Sequence, residues 1–197
     1  VGSEMCIRDR AILLKTLRAV IGTLDPTLQD VRISKDLKDT FIIRRGGTEI
    51  IIQEGRLLNR EVLSSGTADG IDVAMFLAAI IARESTFYYC DEHFSYIQSD
   101  IEKRIFGIML DRLGNNEQLI FTTHNTDMLD LNLPKHSYIF LRKQQEDGIY
   151  NVSAISASEV LKRNTDSIRN AVENDIFASL PQDSLLDELE MGWANEQ

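Results

Sequence analysis

Apolar positions along this 197-residue chain switch between two periods, and the switches divide it into elements. From Ala11 to Ile21, the residues Ile12, Leu13, Leu14, Leu17, Ala19, Val20 and Ile21 leave Lys15 and Arg18 for solvent, which predicts a helix. Gly22 and Asp25-Pro26 stop it. Val31 and Ile33 then alternate with polar residues, and Phe41-Ile42-Ile43 and Glu49-Ile50-Ile51-Ile52 form β-rich runs. Arg44-Arg45-Gly46-Gly47 separates these two runs, and its Gly-Gly is a hairpin signal. Two or three antiparallel strands are predicted here.

A long apolar helix from about Ala68 to Glu84 follows, with Ile71, Met75, Phe76, Ala78, Ala79 and Ile80 along it. Thr86 to Cys90 reads as a buried strand, and Asp100 to Arg112 as a helix striped by Ile101, Ile105, Ile108 and Met109. Gly114-Asn115-Asn116 ends that helix, and a second strand runs from Gln118 to Thr123. Beyond a short helical turn from Thr126 to Leu129 come strands near Tyr138–Arg142 and Ile149–Val152, joined by a turn at Glu146-Asp147-Gly148. Residues 156–197 read as two or three short helices, 157–162, 165–177 and 184–190, with an acidic end that frays. Strand alternating with helix predicts an α/β fold with parallel central strands.

Composition is that of an ordinary globular protein, 43% apolar and 26% charged. A formal charge of −10 works against a general nucleic-acid surface, since phosphate contacts need clustered Lys and Arg. Cys6 and Cys90 are too few for a disulfide framework, which suits a reducing cytosol. No apolar run approaches bilayer length, and no start resembles a signal peptide, so no membrane role is expected. The first ten residues, VGSEMCIRDR, look like a translated adaptor and are set aside from the fold; the gene is then expected to continue upstream.

Chemistry concentrates at three places. The run TFYYCDEHF, residues 86–94, delivers Asp91 and Glu92 at the end of a strand, and QLIFTTH ends in His124. Neighbouring parallel strands ending this way would put an acid pair and an imidazole in one crevice, at the edge where open α/β sheets bind ligands. Upstream, Ser64-Ser65-Gly66-Thr67 heads the long helix, so free N–H groups, hydroxyls and the positive dipole end converge there. Each has a bland alternative: a solvated loop for Asp91-Glu92, a capping imidazole for His124, an ordinary N-cap for the serine turn. His93 and His136 are expected at the surface.

Taken together, in this order and spacing, the three segments resemble the second half of an ABC-type ATPase core. The likeness is to bacterial AAA-family ATPases with the ABC arrangement, which include anti-phage and abortive-infection ATPases and are related to the overcoming-lysogenization-defect ATPases. It covers roughly residues 24–150. LSSGT, from Leu63 to Thr67, is similar to the signature loop, FYYCDE to Walker B with its catalytic glutamate, and FTTHN to the switch-histidine strand.

The resemblance implies a P-loop NTPase-like partial core over 11–155 with a mostly parallel central sheet, a small antiparallel segment before the signature loop, and a helical extension over 156–197. It implies ATP and Mg²⁺ as cofactors. Asp91 would hold the metal, Glu92 would orient or deprotonate the attacking water, and His124 would contact the γ-phosphate. Ser64, Ser65, Gly66 and Thr67 would close over nucleotide held on the opposite subunit of an ATP-sandwiched homodimer. A toxin, nuclease or DNA partner, and service in phage defence or DNA-linked processes, follow from the same likeness.

Two departures stand out. GxxxxGK[ST] occurs nowhere, so truncation and an inactive fragment are expected. Where relatives carry Ser and then Leu-His-Pro after Walker B, this chain has Tyr96-Ile97-Gln98-Ser99. A non-catalytic interaction or regulatory module that keeps the ATPase fold remains the alternative. A DExH helicase would need His where Phe94 stands, and a Toprim nuclease a later Asp-x-Asp.

Overall fold

The computed structural model describes residues 6–146, 149–163 and 165–179. They form two compact units that divide between Met128 and Leu129. The predicted turn at 147–148, the helix at 184–190, the acidic end and the first five residues lie outside the described residues.

The first unit opens with α1 (Ile7–Leu24), which begins earlier than the apolar pattern predicts. Cys6 caps it, its Sγ accepting the Asp9 N–H, so Ile7–Arg10 of the adaptor-like segment are helical. One stripe of α1 is buried, Leu13, Thr16, Leu17, Val20 and Ile21, at the spacing of a single helix face.

Four antiparallel strands follow in sequential order: β1 (Leu28–Ile33), β2 (Thr40–Arg45), β3 (Thr48–Gln53) and the short β4 (Arg56–Leu57). Gly46 and Gly47 take φ of +51° and +85° between β2 and β3, the left-handed pair that a tight two-residue hairpin requires. Val31, Phe41, Ile43, Ile50 and Ile52 are buried on the core face of this sheet. Each fully buried side chain of this size contributes about 1.5–3 kcal/mol relative to exposure.

At the centre of the unit is α2 (Ser65–Ala82), buried at Ala68, Gly70, Ile71, Val73, Ala74, Leu77, Ala78 and Ile80, on more than one side. It packs against α1 and against α3 (Ser99–Arg112). Contrary to expectation, α2 does have the length and apolarity to cross a bilayer, with a mean hydropathy of 1.4 over 18 residues. Half of that window is buried inside the protein, as in a core helix. Gly70 lies against the end of α1, where an added Cβ would stand 2.6 Å from Leu24 Cδ1 and 3.5 Å from Ile21 Cδ1, so the Leu24 side chain would have to shift.

The parallel element is β5 (Phe87–Asp91), α3 and β6 (Gln118–Thr122). Residues pair in register from Phe87 with Gln118 to Asp91 with Thr122. Strand β5 alternates instead of being buried on both faces: Tyr88 and Cys90 point into the core, while Phe87, Tyr89 and Asp91 face outward. The buried stripe of α3 is Glu102, Ile105, Phe106 and Met109; Ile101 is half-buried, and Ile108 turns to solvent.

In the second unit, β7 (Ile139–Glu146) and β8 (Ile149–Ser156) form an antiparallel pair. Two short helices, α4 (Ala157–Val160) and α5 (Ile168–Glu173), stand in place of the longer predicted ones. Phe140 stacks on Phe177 with ring centroids 4.0 Å apart, within a small cluster of Ala157, Leu161, Ala171, Val172 and Phe177.

The fold is therefore α/β, but the central sheet is not mostly parallel. Among the described residues, β5–β6 is the one parallel pair, and the other strands are antiparallel. A parallel pair needs a crossover of a dozen or more residues, and α3 provides one; strands joined by short turns return antiparallel.

Packing at the glycines of α2 and α3 gives a first test. Gly70→Ile should destabilise by about 1–3 kcal/mol through overpacking against Leu24, whereas Gly107→Ala, with no atom within 4 Å of the new Cβ, should stabilise by about 0.5–1 kcal/mol. Urea unfolding midpoints check both, and equal shifts for the two would contradict the close α1–α2 approach.

Candidate functional site

The parallel register decides where the acidic pair and the histidine meet. Asp91 is the last residue of β5 and Thr122 the last of β6, and the two are partners across the ladder. The Thr122 hydroxyl donates to Asp91 Oδ1 at 2.6 Å. Glu92 follows, its N–H bonding the Thr122 carbonyl at 3.2 Å and its φ at +53°. This left-handed backbone turns the chain out of the strand and costs a non-glycine residue about 1–3 kcal/mol. Five other described non-glycine residues share it, so Glu92 is not singular in this respect.

His124 lies two residues beyond β6, and its Nε2 is 2.8 Å from Glu92 Oε1. A carboxylate has no proton to give, so the imidazole donates through Nε2. The two side chains are 86% and 46% exposed, a setting in which such a pair stabilises the fold by no more than about 1 kcal/mol. Together they line a cleft of about 390 Å³ with Phe94, Ser95, Ile97, Ser99, Glu102, Thr123 and Asn125.

Beneath the histidine runs a polar network. Glu102, 2% exposed, accepts the Thr123 hydroxyl at 2.9 Å on Oε1 and Asn125 Nδ2 at 2.5 Å on Oε2. Asn125 Nδ2 also donates to Ser99 Oγ at 2.9 Å, and Ser99 donates on to Asp127 Oδ2 at 2.6 Å. Asn125 Oδ1 accepts the Asp127 N–H, and Thr123 Oγ1 accepts the Asn125 N–H, both at 3.0 Å. Donors and acceptors match at every link, which fixes the orientation of the Asn125 amide.

Sequence reasoning expected Asp91, Glu92 and His124 at neighbouring strand ends, where they lie, but did not anticipate Glu102, Ser99, Asn125 and Asp127 as partners. One signal was available: Glu102 lies three residues before Ile105 and seven before Met109, so a charge sits on the buried face of α3.

The serine turn is placed differently from the expectation of freely converging groups. Ser64 is the N-cap of α2, its Oγ accepting the Thr67 N–H at 3.3 Å, and the Ser64 and Thr67 hydroxyls bond each other at 2.9 Å. Thr67 is buried and engaged, while Ser64 and Ser65 are exposed. Gly66 lies against the turn after β5: a Cβ on it would be 3.4 Å from the Tyr96 carbonyl oxygen. His93 and His136 are exposed.

Two neighbouring groups are electrostatically displaced. The Asp91 charge, with burial and Glu92 adding to it, raises the Tyr89 phenol. Burial pushes the Cys90 thiol up to about 11, with the Asp91 and Glu102 charges adding to it against a backbone hydrogen bond at His93.

No family model and no curated protein matches this chain. Among solved structures it is similar to an SMC head bound to the C-terminal winged-helix domain of ScpA, at 14% identity and a TM-score of 0.48, over 79% of this chain and 46% of that one. It is also similar to the SMC head domain from Thermotoga maritima, at 19% identity and a TM-score of 0.37, over 75% of this chain and 51% of that one. The chain thus spans about half the length of the solved structures it matches. So loose a likeness assigns no role to any residue here.

The buried thiol gives a test of strand placement. At pH 8 a thiol reagent should modify exposed Cys6 and spare Cys90, whose thiolate fraction at a pKa of about 11 is on the order of 10⁻³. As pH rises from about 9 to 11, the unfolded thiol ionises first, so the unfolded state holds fewer protons and stability falls. Cys90→Ala should remove that component of the slope; mass spectrometry of labelled peptides and unfolding against pH read the two effects.

Proposed function

We propose that this chain carries the signature, Walker B and switch-histidine segments of an ABC-type ATPase, with residues 11–155 as the C-terminal part of the ATPase domain and 156–197 as a helical extension. The observation that supports this most is the 2.8 Å contact between Glu92 and His124 in one cleft, at the carboxyl ends of adjacent parallel strands. Such a contact adds little stability, so its value lies in what the two groups do together.

The residues present fit the nucleotide and its metal in kind. Mg²⁺ retains waters and takes one or two carboxylates besides phosphate oxygens. Exposed Asp91, held by the Thr122 hydroxyl, is such a carboxylate. Bound Mg²⁺ would supply charge neutralisation at the phosphate oxygens. Glu92 accepts a proton from, or orients, the attacking water, and His124 donates a hydrogen bond to the terminal phosphoryl oxygen. In the free protein the two groups satisfy each other and so hold their positions before substrate arrives.

On this reading a phosphate-cradling loop, absent from these residues, comes from another segment or chain. Exposed Ser64 and Ser65, at the head of α2, face nucleotide held by a second copy in an ATP-sandwiched homodimer, in the cytosol. As in the family it resembles, its output passes to a toxin, nuclease or DNA partner. The second reading, a non-catalytic interaction module, is favoured by one observation: the hydroxyls of Ser64 and Thr67 are already bonded to each other.

The 197 residues alone should turn over ATP negligibly, because the lysine and amide cradle that binds phosphate is missing. In a gene product that includes a P-loop, Glu92→Gln should lower kcat by about 10²–10⁴-fold and leave ATP binding intact. Steady-state hydrolysis and nucleotide affinity measure both. Turnover by the Glu92→Gln variant at the parent rate would exclude the catalytic role, and a parent protein that binds no ATP would favour the non-catalytic module.

A further inference from the structure

Exposed His124 has no packing of its own to hold it, yet both of its sequence neighbours are tied to one buried carboxylate. Thr123 Oγ1 and Asn125 Nδ2 donate to the two oxygens of Glu102, one to each. A turn below on the same helix, Ser99 accepts from Asn125 and donates to Asp127. The loop carrying the imidazole is therefore strapped at 123, 125 and 127 to the first turn of α3. Glu102 is itself fixed on the buried stripe with Ile105, Phe106 and Met109, in the core of the unit.

We infer that Glu102, seconded by Ser99, is the positioning residue for His124: it clamps the residues on either side of the histidine to α3, so that Nε2 is presented to the Glu92 carboxylate. The placement follows from geometry alone; its consequence for catalysis rests on the ATPase reading of the site. A buried carboxylate on an apolar helix face is costly unless every lone pair is used. An apolar residue would fill the stripe as well, but it could not accept from Thr123 and Asn125. The clamp ties the histidine loop to the first turn of α3, which begins where the turn after β5 ends.

The test uses NMR on the 197-residue chain, where no nucleotide is needed. In Glu102→Ala, backbone order parameters over residues 123–127 should fall from about 0.85 to below about 0.6. The nuclear Overhauser contact between the His124 ring and the Glu92 side chain should vanish, while amides of the β5–β6 ladder stay protected from exchange. Glu102→Gln, which keeps an acceptor for Asn125, should recover most of the contact; a purely structural role would show a changed melting temperature with the loop unchanged. Thr123→Val removes one strap without emptying the helix face, and should loosen the loop even if Glu102→Ala does not fold. An unchanged His124–Glu92 contact in Thr123→Val, or in a folded Glu102→Ala, overturns the proposal. In a P-loop-containing gene product, misplacement of about 1 Å at His124 should lower kcat of Glu102→Ala by about 100-fold with KM unchanged. A loosened loop together with ATP turnover that neither Glu92→Gln nor Glu102→Ala alters would sustain the clamp and refute the catalytic role given to Glu92 and His124.

Discussion

The site depends on one constraint, the in-register parallel pairing of β5 with β6. Parallel strands run their carboxyl ends to the same edge, and the pairing of Asp91 with Thr122 sets the two ends level. Glu92 and His124 then lie one and two residues beyond the ends of their strands. A register slip of one residue would reverse which side chains face the core, sending Cys90 outward and Asp91 inward. The burial of Tyr88 and Cys90 against the apolar core opposes that slip, so core packing and site geometry are specified by the same interaction.

The first unit's stability comes from groups other than the exposed pair in the cleft. Apolar burial around α2 holds the first unit together, with Leu17, Ile21, Ile43, Ile50, Ile52, Ile71 and Ile80 fully enclosed. The pair of Glu92 and His124 is exposed and contributes little to that total. Glu102 belongs to both accounts: it occupies a place in the hydrophobic stripe and is satisfied through residues of the cleft. Burial makes its hydrogen bonds electrostatically stronger than they would be in water, and would make their loss correspondingly expensive.

The serine turn shows how one residue pattern serves two ends. Ser64 as N-cap satisfies the Thr67 N–H and starts a helix that forms the centre of the core. The same turn presents Ser65 to solvent and rests Gly66 against the Tyr96 carbonyl. Capping alone explains Ser64 and Thr67; a Cβ at Gly66 would only reach ordinary van der Waals contact with the turn that leads from Glu92 into α3.

Periodicity by itself determined most elements of the first unit, because an amphipathic stripe or an alternating run can be buried in only one way. It located α1, the antiparallel strands, α2 and the strand–helix–strand passage that delivers Asp91, Glu92 and His124. It did not determine how many strands run parallel, since a strand reads alike in either direction and only the length of the connection and the pairing decide. Nor did it expose the Glu102 network, whose members are separated by more than twenty residues and meet only when α3 packs beneath the end of β6. A hydrogen bond needs its partners within about 3 Å, and that proximity is produced by the packed tertiary structure, not by any local pattern of residues.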